Sequence, residues 1–151
     1  MRKHILVQDT REQKPLAFHK LDIRVKVRNL DCGDYGFRFM DGNMSSTFFE
    51  RKSLHDLFGS LTSGYARFKR EIIRAQVSKR RIVIIIEGGM TRVLEGVRYS
   101  KAQGLSIVKT LFTLKVKYGV DFVFLQDRRE ASEYIVQHYY AEWKLKNSGG
   151  R

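Results

Sequence analysis

Glu50-Arg51-Lys52 is the segment of this chain best equipped for chemistry. It follows Ser46-Thr47-Phe48-Phe49 and lies sixteen residues after Asp34 of Gly33-Asp34-Tyr35. On a strand, side chains alternate between faces, so Glu50 and Lys52 project together and Arg51 projects away. A carboxylate and an ammonium on one face suit a divalent metal beside a water that needs activating. Asp34, from the preceding strand, completes a metal site, which is the minimum set for hydrolysing a phosphodiester.

Glu-x-Lys alone also describes a solvated strand face in a chain that is 30% charged. Its neighbours raise its standing. Val7-Gln8-Asp9-Thr10-Arg11-Glu12 ends the first predicted strand in acids, and Ser53-Leu54-His55-Asp56 directly follows the Glu-Arg-Lys run. Each piece has a plainer reading. Asp34 suits the opening of a hairpin, Asp9 the capping of the Thr10-Arg11 turn, and Asp56 a capping box three residues after Ser53. Arg51 points away from Glu50 and is placed to pair with another acid. His55 reads as a surface histidine or a phosphate contact. His4, His19 and His138 show no ligand spacing and read as structural.

The net charge points to the partner. Lys and Arg number 29 against 16 Asp and Glu, a formal +13. A field of that sign favours a polyanion, and nucleic acid is the commonest. The basic residues are spread over many elements, which argues against a membrane surface. No run approaches a membrane span. A single cysteine, Cys32, excludes an internal disulfide and a Cys-based zinc site. An intracellular protein is expected, cytoplasmic in a prokaryote or virus and nuclear in a eukaryote, with no small-molecule cofactor.

These residues need a scaffold. His4–Gln8 reads as a buried strand. Leu21, Ile23, Val25 and Val27 alternate with charged residues, giving a strand with one wet, basic face. Tyr35–Phe39 and Thr47–Lys52 flank Asp41-Gly42-Asn43, a hairpin signal. Ser53 caps a helix marked by Leu54, Leu57, Phe58 and Leu61. Tyr65–Val77 forms another, with Tyr65, Phe68 and Ile72 inward and Arg67, Lys69, Arg70 and Arg74 on a basic side. That side is either a solvated face or a set of phosphate contacts. Ile82–Ile86 has the pattern of a central strand covered on both faces. Arg92–Ser100 reads as a loop, Ser106–Tyr118 as a helix and Asp121–Leu125 as a strand. Asp127, with Glu130 placed for a capping box, starts a last helix. The order predicts an α/β fold: a mixed central sheet, with an antiparallel ribbon feeding parallel strands, flanked by helices in an αβα sandwich.

The motif set resembles a known family. Gly33-Asp34-Tyr35 followed by Glu50-Arg51-Lys52-Ser53-Leu54-His55-Asp56 resembles the G-D-x(n)-E-R-K-x(3)-D signature of XPF-type structure-specific endonucleases. Asp9-Thr10-Arg11-Glu12 resembles the acidic motif ending their first strand. Phe58-Gly59-Ser60-Leu61 and Gly64-Tyr65-Ala66-Arg67-Phe68 resemble the segment after the signature. The resemblance runs from about His4 to Phe124. It implies a restriction-endonuclease-like fold and a Mg²⁺- or Mn²⁺-dependent nuclease acting on branched, flapped or forked DNA. By matching position it implies Asp34, Glu50 and the backbone carbonyl of Arg51 as metal ligands. Lys52 is implied beside the attacking water, Asp9 and Asp56 as auxiliary acids, and Arg11 and Glu12 as supporting residues. Longer family members carry a tandem helix-hairpin-helix domain, for which nothing after Asp121 gives a signal. One nuclease domain over residues 1–146 with a flexible tail over 147–151 is therefore expected.

Two rival functions stay open: a catalytically silent nuclease fold that binds DNA or a partner, and a nuclease without branch preference. Asp34, Glu50, Lys52 and Asp56 are all present, which favours the enzyme. A symmetric homodimer through the last two helices is expected. One offers Leu105, Val108, Leu111 and Phe112, the other Tyr134, Ile135, Tyr139 and Trp143. Leu111 and Trp143 fall at the margins of these stripes, although one side of each helix must cover the sheet.

Overall fold

A computed structural model describes residues 3–149. Its elements are β1 (Ile5–Asp9), β2 (Arg24–Arg28), β3 (Tyr35–Arg38), β4 (Thr47–Ser53), α1 (Leu54–Ser60), α2 (Tyr65–Val77), β5 (Arg81–Glu87), α3 (Met90–Glu95), α4 (Gly104–Tyr118), β6 (Asp121–Leu125) and α5 (Arg128–Asn147). One six-stranded sheet runs in the order β2-β1-β3-β4-β5-β6. β3 is antiparallel to both β1 and β4, while β4, β5 and β6 are mutually parallel, as expected of a ribbon feeding a parallel sheet.

The β-branched run of β5 is central, with alternate residues buried on opposite faces. Ile82, Ile84 and Ile86 join Leu57, Phe58, Phe68, Ile72, Ile107 and Leu111 from α1, α2 and α4. Val83 and Ile85 join Tyr35, Phe37 and Phe49 under Ile135, Val136 and Tyr139 of α5. The result is an αβα sandwich of the restriction-endonuclease-like type. The Tyr139 hydroxyl donates 2.7 Å to the Thr47 carbonyl, so this buried phenol is satisfied and α5 is fixed against β4.

Four features differ from the expectation. A dry face is expected on β2, but Val25 and Val27 are exposed. β2 is an edge strand, parallel to β1, beyond the reach of the helical layers. Part of the expected Arg92–Ser100 loop is the helix α3. Six residues with Val93 alone buried are too few to show a helical period. α4 begins at Gly104, before Ser106, and a Cβ at Gly104 would lie 2.0 Å from the Val93 carbonyl oxygen. Only glycine permits that crossing of α3 and α4. Finally, α5 continues through Asn147, whose side-chain amide donates to the Trp143 carbonyl at 2.8 Å. The rest of the expected tail is Ser148 and Gly149, with residues 150–151 outside the described range.

Candidate active site

Gly33 starts the site. Its φ of 72° is in the left-handed region, and a Cβ there would meet the Phe49 carbonyl oxygen at 3.1 Å. Glycine thus lets the chain approach β4 closely. Asp34 N–H then donates to the Phe49 carbonyl at 2.7 Å, and Asp9 N–H donates to the Asp34 carbonyl at 2.8 Å. The backbone of Asp34 is held between β1 and β4. Its carboxylate Oδ2 accepts the Arg51 N–H at 2.7 Å. Within a strand residue the N–H and C=O point to the same side. The Arg51 carbonyl therefore faces the side on which Asp34 lies.

On β4, Glu50 and Lys52 share the face of Phe48, toward α1 and α2, and Lys52 Nζ lies 3.1 Å from Glu50 Oε1. Lys52 Nζ also sits 5.0 Å from the Phe68 ring centroid on α2. A cleft of about 520 Å³ opens here. Asp9, Asp34, Glu50, Lys52 and Asp56 all line it, as do Arg11 and His55. From α2 it takes Arg67 and Arg74, whereas Lys69 and Arg70 do not line it. Lys69 Nζ instead lies 5.9 Å from the Tyr118 ring.

The acids differ in electrostatic state. Burial and the nearby Glu50 charge push the Asp34 carboxyl up to about 7, despite the hydrogen bond from Arg51. Burial also raises Glu50, against the attraction of Lys52, and Glu71 adds to the rise. Asp9 behaves oppositely. Burial pushes it up, but the Arg11 side chain and the Leu30 and Arg11 N–H groups outweigh this, and it sits below the usual carboxylate range. Its Oδ2 accepts Arg11 Nε at 2.8 Å and Arg11 N–H at 3.0 Å, while Oδ1 accepts Leu30 N–H at 2.8 Å. Asp9 pins the loop leading to Asp34. Asp56 donates its N–H to Ser53 Oγ at 3.2 Å, so Ser53 is the helix cap and the Asp56 carboxylate borders the cleft.

Arg51 points to the opposite face, as strand alternation requires. Its Nε and Nη2 donate to the two Glu12 carboxylate oxygens at 3.0 and 2.7 Å, and Nη1 donates to Glu87 at 2.9 Å. These bonds raise the Arg51 pKa, with burial opposing. Burial raises Glu12, but Arg51 prevails and holds it below its ordinary value. Arg128 of α5 also reaches Glu87, at 3.4 Å, and the carbonyls of Lys14 and Pro15. Glu12 and Arg51 thus support the site from behind.

Sequence reasoning missed Glu71, Glu87 and Arg128. Glu71 lines the cleft from α2. Its signal was helical spacing, three residues after Phe68 and four after Arg67.

The ERCC4 domain model matches residues 8–138. The chain belongs to the ERCC4 domain family. Its resemblance to XPF-type nucleases is thereby established, and membership supports a DNA endonuclease. A solved structure of XPF from Aeropyrum pernix in complex with DNA matches this ERCC4 domain with a TM-score of 0.74 at 22% identity. The match covers 94% of this chain and 66% of that one. A second structure of XPF from Aeropyrum pernix matches with a TM-score of 0.67 at 22% identity, covering 93% of this chain and 70% of the other. These likenesses establish the fold, over about two thirds of the XPF chain. Comparison with curated proteins gives no match. No helix among the described residues is long and apolar enough to cross a membrane.

The donor set suits a hard divalent ion. Among the described residues no three His, Cys, Asp or Glu side chains form a metal cage. Mg²⁺ does not require one: it takes one or two carboxylates and keeps several waters. Asp34, Glu50 and the Arg51 carbonyl are oxygen donors of that kind, and a cation between the two carboxylates would offset the burial and mutual repulsion that raise them.

Proposed function

We propose that this ERCC4 domain is a metal-dependent DNA endonuclease that hydrolyses phosphodiester bonds in branched, flapped or forked DNA during repair, recombination or replication. The observation that carries the proposal is the convergence of Asp34, Glu50 and Lys52 on one cleft wall, facing the basic residues Arg67 and Arg74. Asp34 and Glu50, with the Arg51 carbonyl, would hold Mg²⁺ or Mn²⁺. A bound ion supplies a charge that neutralises a phosphate oxygen and lowers the pKa of a water.

The chain's own residues do the rest. The Arg51 N–H fixes the Asp34 carboxylate, and the β1 and β4 backbones fix its main chain. Glu50 holds Lys52 Nζ at 3.1 Å, where its positive charge meets the negative charge developing on the phosphate oxygens. Phe68 limits where that ammonium swings. Arg67, Arg74 and Arg11 receive flanking phosphates. Asp9 keeps the Asp34 loop in register, and Asp56 borders the cleft near the scissile bond.

The proposal includes pairing of two copies. Leu111 is part of the core at 1% exposure, contrary to its expected place at a stripe margin, because it faces the sheet beside Leu114. The next residue, Phe112, is 47% exposed and joins Val108 and Val116 in an apolar groove on α4. Trp143 is stacked on Phe39, 5.5 Å between centroids, so α4 offers the open surface. A Mg²⁺-dependent cleavage assay over flap, fork, junction, duplex and single-strand DNA tests the function. Cleavage focused on branched substrates supports it. Cleavage of all forms alike removes branch preference, and binding without cleavage identifies a silent scaffold.

A further inference from the structure

The segment between α3 and α4 contributes nothing to the chemistry above, yet it is built to present one side chain. Val97 and Ala102 pack against the core and anchor its two ends. Between them the Ser100 N–H donates to the Val97 carbonyl at 3.2 Å, closing a turn with Arg98 and Tyr99 at its central positions. The Ala102 N–H donates to Ser100 Oγ at 3.2 Å and fixes the exit. Tyr99, at the apex of this turn, is 79% exposed.

Its neighbours are cationic or titratable. The Arg98 guanidinium lies 5.6 Å from the Tyr99 ring centroid. His55 of α1 is also near, 6.3 Å between centroids with its ring edge-on at 86°. His55 also lines the cleft that holds Asp34, Glu50, Lys52 and Asp56. The exposed ring is therefore continuous with the proposed reaction site through a single side chain. Lys101, also exposed, adds positive charge two residues on.

We propose that Tyr99, flanked by Arg98 and His55, is a stacking platform for an unpaired base beside the cleft. An aromatic face accepts any base, and neighbouring cations take the phosphates, which is how single strands are held without sequence preference. Bases within a duplex are already stacked and have no free face to offer. The platform therefore favours DNA with unpaired nucleotides next to the cleaved bond. It rests on the reading of this domain as a DNA nuclease and names a feature of the substrate.

The test is binding in EDTA, where cleavage plays no part. Fluorescence anisotropy with a labelled oligothymidylate and a labelled duplex of equal length is compared for wild type, Tyr99→Leu, Tyr99→Phe and Arg98→Ala. Tyr99→Leu should weaken oligothymidylate binding roughly 5- to 150-fold, the span for one lost stacked base, and lower the ratio of single-strand to duplex affinity. Tyr99→Phe should keep wild-type affinity, since the ring and not the hydroxyl is used, and Arg98→Ala should fall between. Unchanged oligothymidylate binding in Tyr99→Leu, equal losses in Tyr99→Phe and Tyr99→Leu, or no binding by wild type overturns the platform. If Tyr99→Leu loses binding while wild type cleaves nothing in Mg²⁺, the platform stands and the nuclease reading falls.

Discussion

The Arg51 N–H donates a 2.7 Å hydrogen bond to Asp34 Oδ2, joining the middle of the Glu-Arg-Lys run to the acid sixteen residues before Glu50. This bond fixes the Asp34 carboxylate against β4, where the backbone bond from Asp34 N–H to the Phe49 carbonyl already holds its main chain. It does not neutralise that carboxylate, and the Asp34 carboxyl remains raised to about 7 by burial and by Glu50.

That rise has a consequence for stability. A folded-state pKa near 7, against about 3.9 in an unfolded chain, means that the folded state holds a proton the unfolded state releases. Metal-free stability should therefore be full below about pH 4 for this group and fall as pH rises toward 7. Thermal melts in EDTA should show a progressive loss of stability across that window, reduced in Asp34→Asn. Mg²⁺ should restore the wild type and leave Asp34→Asn nearly unmoved. A wild-type melting temperature that climbs from pH 5 to pH 7.5 in EDTA contradicts this.

The Arg51 clamp makes a different prediction. The Arg51 side chain is 9% exposed and its Glu12 partner 4%. Removing one member of such a buried pair leaves an uncompensated charge, at a cost of about 3 kcal/mol or more. Arg51→Ala should lower the urea midpoint strongly, and Arg51→Lys should recover only part, since an ammonium cannot engage both Glu12 oxygens and Glu87 together. Arg67→Ala, whose pairing with Glu71 is exposed, should change the midpoint far less. Equal midpoints for Arg51→Ala and Arg67→Ala would remove the structural role of the clamp.

Much of this is legible in the sequence, for reasons tied to spacing. Glu50, Lys52 and Arg51 obey the two-residue alternation of a strand, so their faces follow from their order. Asp34 is marked by Gly33, whose positive φ is the local signal of a close approach. The bounds of Tyr65–Val77 and Asp121–Leu125 agree with the sequence because Gly64 and Gly119 break the chain just before each. What escapes depends on the third dimension. Glu71 and Glu87 belong to the site only because α2 and β5 pack beside β4. Leu111 and Phe112 are adjacent in sequence, and only helix rotation decides which is core. α3 is too short to show a period.

DNA affinity should depend on the two cleft-facing arginines of α2. Arg67→Glu with Arg74→Glu should weaken binding and reduce the slope of log affinity against log salt by nearly one unit for each phosphate no longer neutralised. Lys69→Glu with Arg70→Glu should have the smaller effect, since neither residue lines the cleft. Equal slopes for the two double variants would reduce the α2 cations to a general field.

Pairing is checked by mass. Light scattering at micromolar protein should report about twice 17.7 kDa. Val116→Glu, at an 85% exposed position in the α4 groove, should give a single-chain mass without loss of folding. A wild-type mass of one chain, unchanged by DNA, refutes pairing through this face.

The central claim is that Asp34, Glu50 and Lys52 form the hydrolytic centre of this ERCC4 domain. It is tested most directly by cleavage of a flap substrate in saturating Mg²⁺ by wild type and Glu50→Ala, with DNA binding measured alongside. The account predicts cleavage by wild type that EDTA abolishes, none by Glu50→Ala, and similar DNA affinity for both. Near-normal cleavage by Glu50→Ala, or full wild-type activity in EDTA, would contradict it.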